Sequence, residues 1–396
     1  MKSRYLLLIF GVVLACKNVK PIADNQSDQA SLSDSIPAIA VLDTVYLITQ
    51  KGDTLYSLNQ EVEVSLERLL PDTVKIAAVG DLMIGTNFPN KSYLPRDSGA
   101  YLWDHVRPIL QRADITFGNL EGTILNEGGD QKECNNPKLC YLFRSPEYLA
   151  GNFKANGFDL MSVANNHAND FGEAGRINTQ RVLDSLGIAH AGSIDQPYTI
   201  VKIGQIKIGF CAFAPNRGTA SIHQYESIIS TIQLLDSLAD IVVASFHAGA
   251  EGSKHQHVTR KREYYYGEDR GNVYELSHLM IDNGADVVLG HGPHIVRAIE
   301  VYKERIIAYS LGNFLTYGRF NLRGLAGEAP LLEVQTDALG RFLNGRIHSF
   351  RQSYSLGPRN DSNLSSIKTI QRLSLEDFPE NPVMINESGS IVFKEN

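Results

Sequence analysis

An α/β fold is the architecture the sequence predicts for residues 73–350, and three observations predict it. Apolar strand-like runs alternate with amphipathic helical segments from Val74 onward, the pattern of layered α/β domains. The helical segments stop at Gly157, Gly187 and Asn283-Gly284, residues that tolerate the left-handed conformation ending a helix. Polar clusters recur just after the apolar runs, and the carboxyl ends of strands are where α/β sheets bind ligands. With 43% hydrophobic and 20% charged residues in 396, the chain is ordinary globular material. A net charge of −7 without an extended basic run excludes nucleic acid as a main partner, because phosphate neutralisation needs clustered Lys and Arg.

The first 16 residues read as an export signal. Lys2 and Arg4 precede an apolar run, Tyr5 to Ala15, too short for a permanent membrane span. Val13-Leu14-Ala15-Cys16 resembles a bacterial lipobox, which implies lipidation at Cys16 and a cell-envelope location. An ordinary secretory signal with an incidental cysteine is the alternative. Residues 17–39, rich in Ser, Asp, Asn and Gln, read as a flexible tether. In residues 40–72, Val45 to Leu58 followed by Val64 to Leu70 resembles the first two-thirds of a lysin motif, a peptidoglycan-binding module, but lacks its closing strand. Export also makes a local disulfide between Cys134 and Cys140 an expectation. Cys211 lies in an apolar run and reads as a buried, inert thiol.

In order, strand-like Lys75 to Val79 leads into Gly80-Asp81-Leu82-Met83. A helix over Leu102 to Arg112 feeds Ile115 to Phe117 and then Gly118-Asn119-Leu120-Glu121. A helix from Pro146 to Asn156 leads to Leu160 to Ala164 and Asn165-Asn166-His167; another spans Ala174 to Leu186. A hairpin turns at Gly204-Gln205, and a helix from Ser227 to Leu238 precedes Ile241 to Phe246 and His247-Ala248-Gly249-Ala250-Glu251. Residues 252–270, polar and aromatic, read as a covering loop. The helix Val273 to Asp282 then leads to Gly290-His291-Gly292-Pro293-His294 and Tyr309-Ser310-Leu311-Gly312-Asn313-Phe314. More strands follow to residue 350, and residues 351–396 read as an irregular tail.

The strand exits thus collect Asp81, Asn119, Glu121, Asn166, His167, His247, His291 and His294. Two carboxylates, an amide oxygen and several imidazoles, without a thiolate, suit Mn, Fe, Zn or Mg. Taken one at a time, Asp81 also reads as a helix cap, Asn166 as turn chemistry and His167 as a structural histidine. The recurrence at successive strand exits favours a common site.

Taken together, the six motifs around Asp81, Glu121, Asn166, His247, His291 and Asn313 are similar to the motif series of the CapA family. These are capsule and poly-gamma-glutamate synthesis proteins related to calcineurin-like metallophosphoesterases. The resemblance runs from about Val74 to Phe320. It implies a four-layer α/β/β/α sandwich of the metallo-dependent phosphatase type. It implies one or two divalent metal ions held by Asp81, Glu121, Asn166, His247, His291 and His294, with His167 as the catalytic histidine. One position departs from the phosphoesterase relatives: Met83 stands where they carry a metal-binding histidine. A thioether is a poor ligand for a hard cation, so one metal position is short of a nitrogen.

Outside that set, Asn119 and Asn313 are expected behind the ligands. Glu251 is expected to orient His247, to bind a substrate amine or to form a surface salt bridge. Arg297 and Arg270 are expected to bind an anionic polymer or phosphate. His255 and His257 read as solvent-exposed or, alternatively, as ligands. The expected function is a lipid-anchored, metal-dependent hydrolase acting on an anionic or phosphorylated envelope polymer. The alternative is a non-catalytic polymer-binding subunit working with membrane synthase subunits.

Overall fold

The computed structural model describes residues 45–48, 54–58, 71, 73–133 and 141–395. Cys16, the tether and the Cys134/Cys140 pair lie outside the described residues. The chain divides into two compact units, Met1–Glu67 and Arg68–Asn396. In the first, strands Val45–Ile48 and Thr54–Leu58 pair antiparallel, with Val45 opposite Leu58. The remainder of the lysin-like segment is outside the described residues.

The second unit is built on two sheets. The larger has ten strands, ordered Val383–Ile385, Ser390–Phe393, Phe342–Ser353, Glu328–Asp337, Thr73–Met83, Ile115–Leu120, Leu160–Ser162 and Ala189–Ala191. Asn313–Thr316 also pairs with Thr73–Met83, and Gly357–Asn360 with Phe342–Ser353. The smaller sheet has six, ordered Ile299–Tyr302, Arg305–Ala308, Val287–His291, Ile241–His247, Ile206–Phe213 and Tyr198–Ile203. The strands that end in the polar motifs run parallel. Their carboxyl ends therefore share one rim.

Period-two alternation divides the apolar residues between layers. Ile76 and Ala78 of one sheet, with Val243, Val287 and Leu289 of the other, enter a shared core. Phe117 meets Phe210 across it, ring centroids 5.7 Å apart. Their neighbours Ala77 and Val79 face outward onto Leu149, Phe153, Val182 and Leu183, from helices Glu147–Ala155 and Gly172–Ser185. On the opposite flank Val242, Ala244 and Val288 face Ile228, Ile232, Leu276 and Met280, from helices Tyr225–Leu238 and Val273–Asp282. Helix, sheet, sheet and helix make four layers.

Two local expectations are corrected. The helix expected over Leu102 to Arg112 is a 3₁₀ segment, Arg96–Trp103, and one α-turn, Arg107–Leu110. Left-handed Asp97, Ser98 and Gly99 interrupt it, and Pro108 restarts it at a position that needs no donor. Residues 351–396 are not an irregular tail. They complete a strand and form Gly357–Asn360, the helix Ser365–Asp377, and the strands Val383–Ile385 and Ser390–Phe393. The helix buries Ile367 and Ile370 in the inter-sheet core and Leu373 in the outer one. Its many serines and charges hid the apolar stripe. Among the described residues no helix is long and apolar enough to cross a membrane.

Ile370 is 1% exposed, so Ile370→Ala should cost about 2–5 kcal/mol in denaturant unfolding. Exposed Lys368→Ala should stay within about 0.5 kcal/mol. Glu328, on the strand that this helix covers, adds a pH signature. Burial pushes its carboxyl up to about 7 from an ordinary 4.5, against a weaker opposing hydrogen bond from Thr369. The folded state then holds the proton more tightly than the unfolded one, so stability falls as pH rises from about 4.5 through 7. Glu328→Gln should flatten that fall in melting temperature between pH 5 and 8.

Candidate metal centre

Backbone constraints assemble the rim. Val79 and Leu82, three residues apart, both face the outer core. A register shift between Ala78 and Asp81 breaks the alternation and returns Asp81 to the inner side, a typical use of a bulge beside a site. The segment Tyr309 to Asn313 then bridges the two sheets. Leu311 donates its N–H to the Gly290 carbonyl at 3.1 Å, and Asp81 donates to the Gly312 carbonyl at 2.9 Å. A Cβ at Gly80 would lie 2.0 Å from that Gly312 oxygen, and one at Gly290 would lie 2.3 Å from the Tyr309 oxygen. Both glycines are required by the close approach.

Across this seam Asp81 meets two imidazoles. His291 Nδ1 lies 3.1 Å from Asp81 Oδ1, and His294 Nδ1 lies 2.8 Å from Oδ2. Asn119 donates to Asp81 Oδ1 at 2.8 Å and to Glu121 Oε1 at 3.4 Å. His247 Nδ1 stands 3.4 Å from Glu121 Oε1. One ligand atom each from Glu121, His247 and His294 falls within 4.8 Å of the others. The turn delivering His294 is constrained. Gly292 has φ 119°, and a Cβ there would lie 2.4 Å from the Ala248 oxygen; His294 itself has φ 56°.

The electrostatics follow from burial. Burial pushes the Asp81 carboxyl up, but hydrogen bonds and charge from His291 and His294 overcome it and hold it below the ordinary carboxylate range. Burial works against a charged His294, yet Asp81 and the nearby Glu251 and Glu121 carry it up to about 10. Burial and the Asp81 charge push Glu121 well up, and burial pushes His247 well down. Glu121 Oε2, both His247 ring nitrogens, His291 Nε2 and Asn166 Oδ1 are buried without a hydrogen-bond partner. Buried polar atoms ordinarily have partners. A divalent cation would supply one to this oxygen and nitrogen set, so the residues fit the group.

Behind them, Asn165 donates to Asn119 Oδ1 and to the Leu120 carbonyl, joining two strand exits. His167 stands beside this joint, its Nδ1 2.8 Å from Asp170 Oδ2. Asp170 is fully buried and also accepts from the Phe143 N–H at 2.8 Å. Sequence reasoning missed Asp170; the signal was a carboxylate three residues after His167, within one turn of chain. Phe143 packs on His167 at 4.3 Å and stacks on Phe320 at 4.9 Å. Phe320 in turn lies 5.8 Å from His294. Two rings in contact thus link His167 to His294.

Of the remaining residues, Asn313 donates to the His294 and Ala326 carbonyls at 3.1 Å and braces the histidine turn. Glu251 pairs with Arg270 at 3.0 Å, and Arg270 is also held by Glu268. Arg297 corrects the anion-binding expectation. It is fully buried and clasped by both oxygens of Glu263 at 2.9 and 2.8 Å. Glu263 also accepts from the Ala250 N–H, so the pair props the loop after His247. His257 binds Asp377 at 2.7 Å and His255 lies against Tyr265; neither belongs to the cluster of Glu121, His247 and His294.

The sequence matches the family described as bacterial capsule synthesis protein PGA_cap over residues 75–317, more than half of the chain. The chain belongs to that family. Relatives of this PGA_cap member include capsule biosynthesis protein CapA of Bacillus anthracis, 26% identical over 264 residues, 62% of this chain and 60% of that protein. PGA biosynthesis protein CapA of Bacillus subtilis (strain 168) is 26% identical over 298 residues, 71% of each. The chain therefore spans less than two thirds of the Bacillus anthracis relative. Among solved structures, calcineurin-like phosphoesterase YfkN from Bacillus subtilis is 15% identical over 77% of this chain and 98% of its own, with a TM-score of 0.41. A likeness that distant decides nothing about chemistry.

If Glu121 and His247 hold the ion, elemental analysis of dialysed protein should find a divalent metal in the wild type. Glu121→Gln and His247→Ala should each lose most of it, about 10-fold or more in affinity. Asn321→Ala, outside the cluster, should keep it.

Proposed function

We propose that this PGA_cap member is a metal-dependent, phosphoesterase-like hydrolase acting on an anionic or phosphorylated polymer in capsule or poly-gamma-glutamate synthesis. The supporting observation is the set of buried, unpartnered donors on Glu121, His247 and His291 beside the Asp81–His294 pair. A bound divalent cation would polarise a carbonyl or phosphoryl oxygen as a Lewis acid. Asp81, Glu121, His247 and His294, with His291 and Asn166, are the residues proposed to hold one or two such ions. His167 has its Nδ1 committed to Asp170, which leaves Nε2 to give or take a proton at a leaving-group oxygen. Asp170 fixes the orientation of the ring. Phe143 packs against the same ring at 4.3 Å.

The rest of the proposal is cellular. The apolar run ending at Cys16 supports export and lipid anchoring at the cell envelope, and the relatives' names support a place beside polymer synthase subunits. A second reading, polymer gripping without turnover, is favoured by Met83, which is fully buried two residues after Asp81 and offers no nitrogen.

The test is turnover by the full-length protein, loaded with Mn, Fe, Zn or Mg, on poly-gamma-glutamate and on a phosphate ester. Metal-dependent product release should fall about 10²–10⁴-fold in His167→Ala, with metal content unchanged, and by a smaller factor in Asp170→Asn. Equal rates in wild type and His167→Ala would sink the hydrolase reading. Metal-dependent polymer binding without any turnover would establish the second.

A further inference from the structure

The arginines around the rim differ in how their charge is met. Arg297 is clasped by Glu263, and Arg270 is shared by Glu251 and Glu268. Arg319 is different: among the described residues no carboxylate pairs with it. Its guanidinium lies 5.3 Å from the Tyr93 ring centroid and 4.9 Å from that of Tyr141. Among the described residues its one hydrogen bond runs from Nη1 to the Phe88 carbonyl at 3.4 Å. Stacking on tyrosines occupies the faces of a guanidinium and fixes its plane. The in-plane N–H donors not turned to Phe88 stay available, and a planar fork of donors matches the two oxygens of a carboxylate or phosphate.

Its place in the chain ties this cation to the site. The strand Asn313–Thr316 pairs with Asp81 through Met83, and Tyr317 donates to the Met83 carbonyl at 2.8 Å. Thr316 is further held by Gln352, through both its N–H and its hydroxyl. Arg319 follows three residues later and is half-buried. The next residue, Phe320, forms the aromatic wall against Phe143 and His294. Phe143 is also adjacent to an arginine, Arg144, which follows it in sequence and pairs with no carboxylate among the described residues. Arg144 spends its donors on Asn87 Oδ1 and the Gly128 carbonyl. It lies over Phe88 and Phe171, so Phe88 is flanked by both arginines. Two aromatic residues thus face the centre, each joined in sequence to an arginine at the rim.

We infer that Arg319 is the anchor for an oxyanion of the substrate, a carboxylate or a phosphate, held at the rim one residue from the aromatic wall. Arg144 is its positioning partner, keeping Phe88 and its carbonyl in place. The inference rests on the proposed action upon an anionic substrate but concerns binding alone, so the two fail separately.

The test measures binding of a γ-linked glutamate pentamer and of tripolyphosphate to the full-length protein, with EDTA and with Mn. A γ-linked glutamine pentamer serves as the uncharged control. Arg319→Ala should weaken one anionic probe about ten- to hundredfold, the scale of a charged hydrogen bond, in both conditions. Metal content should be unchanged, and the probe affected identifies carboxylate or phosphate. Arg319→Lys keeps the charge but lacks the planar fork and should recover only part of the loss. Failure of the wild type to bind either anion, or affinities for both within about twofold in Arg319→Ala, would overturn the assignment. Absence of turnover with the Arg319 effect intact would overturn only the hydrolase reading.

Discussion

The structure depends on one carboxylate shared across a seam. Asp81 stands on the larger sheet; of the imidazoles that grip its two oxygens, His291 ends a strand of the smaller one and His294 follows it. Neither sheet can shift against the other without separating them. The segment Tyr309 to Asn313 enforces the same spacing through backbone bonds to both sheets. That approach leaves no room for a Cβ at Gly80 or Gly290. The glycine before the aspartate and the glycine before the histidine are therefore one constraint seen from two sides. The inter-sheet core of Ile76, Phe117, Phe210, Val243 and Leu289 sets how far apart the ligands stand.

Charge is distributed according to what each loop must do. Glu263 and Arg297 neutralise one another in the interior, where an unpaired member would be costly. They use the spare capacity to hold the Ala250 N–H and carbonyl, which stiffens the chain leaving His247. Arg270 is likewise fixed, through Glu251 and Glu268. By contrast Glu121 and His247 are buried with little in the protein to answer them. The charges of the supporting loops are paired; at the centre, buried polar atoms lack partners, and such groups call for a ligand.

Much of this was legible in the sequence because strands advertise their faces. Alternation located the strands ending at Asp81, Glu121, His247 and His291, and parallel pairing brought their ends together. The tail after residue 350 was misread because its helix carries its apolar stripe on four residues, Ile367, Ile370, Leu373 and the following Phe378, among serines and charges. Arg297 was misread because an arginine near a polar motif looks available. Its partner Glu263 lies 34 positions earlier, inside a segment that reads as a surface loop. Asp170 went unnoticed for the opposite reason: it is near His167 in sequence, but only the turn geometry shows that its side chain folds back. Sequence pattern reports which face a residue takes; it does not report which partner waits there.

Met83 fits the same seam. The bulge that returns Asp81 to the inner side carries Met83 with it, since residues two apart in a strand share a face, and Met83 is fully buried. With a thioether there, the larger sheet contributes oxygen donors, from Asp81, Glu121 and Asn166. Its one nearby imidazole, His167, is engaged with Asp170. Every other nitrogen donor, His247, His291 and His294, comes from the smaller sheet. A cation held by this set would take its oxygens from one layer and its nitrogens from the other. Its affinity is then coupled to the packing between the layers, because binding energy gained only in the folded arrangement is folding energy. An ion bound there would help to hold the two sheets in register.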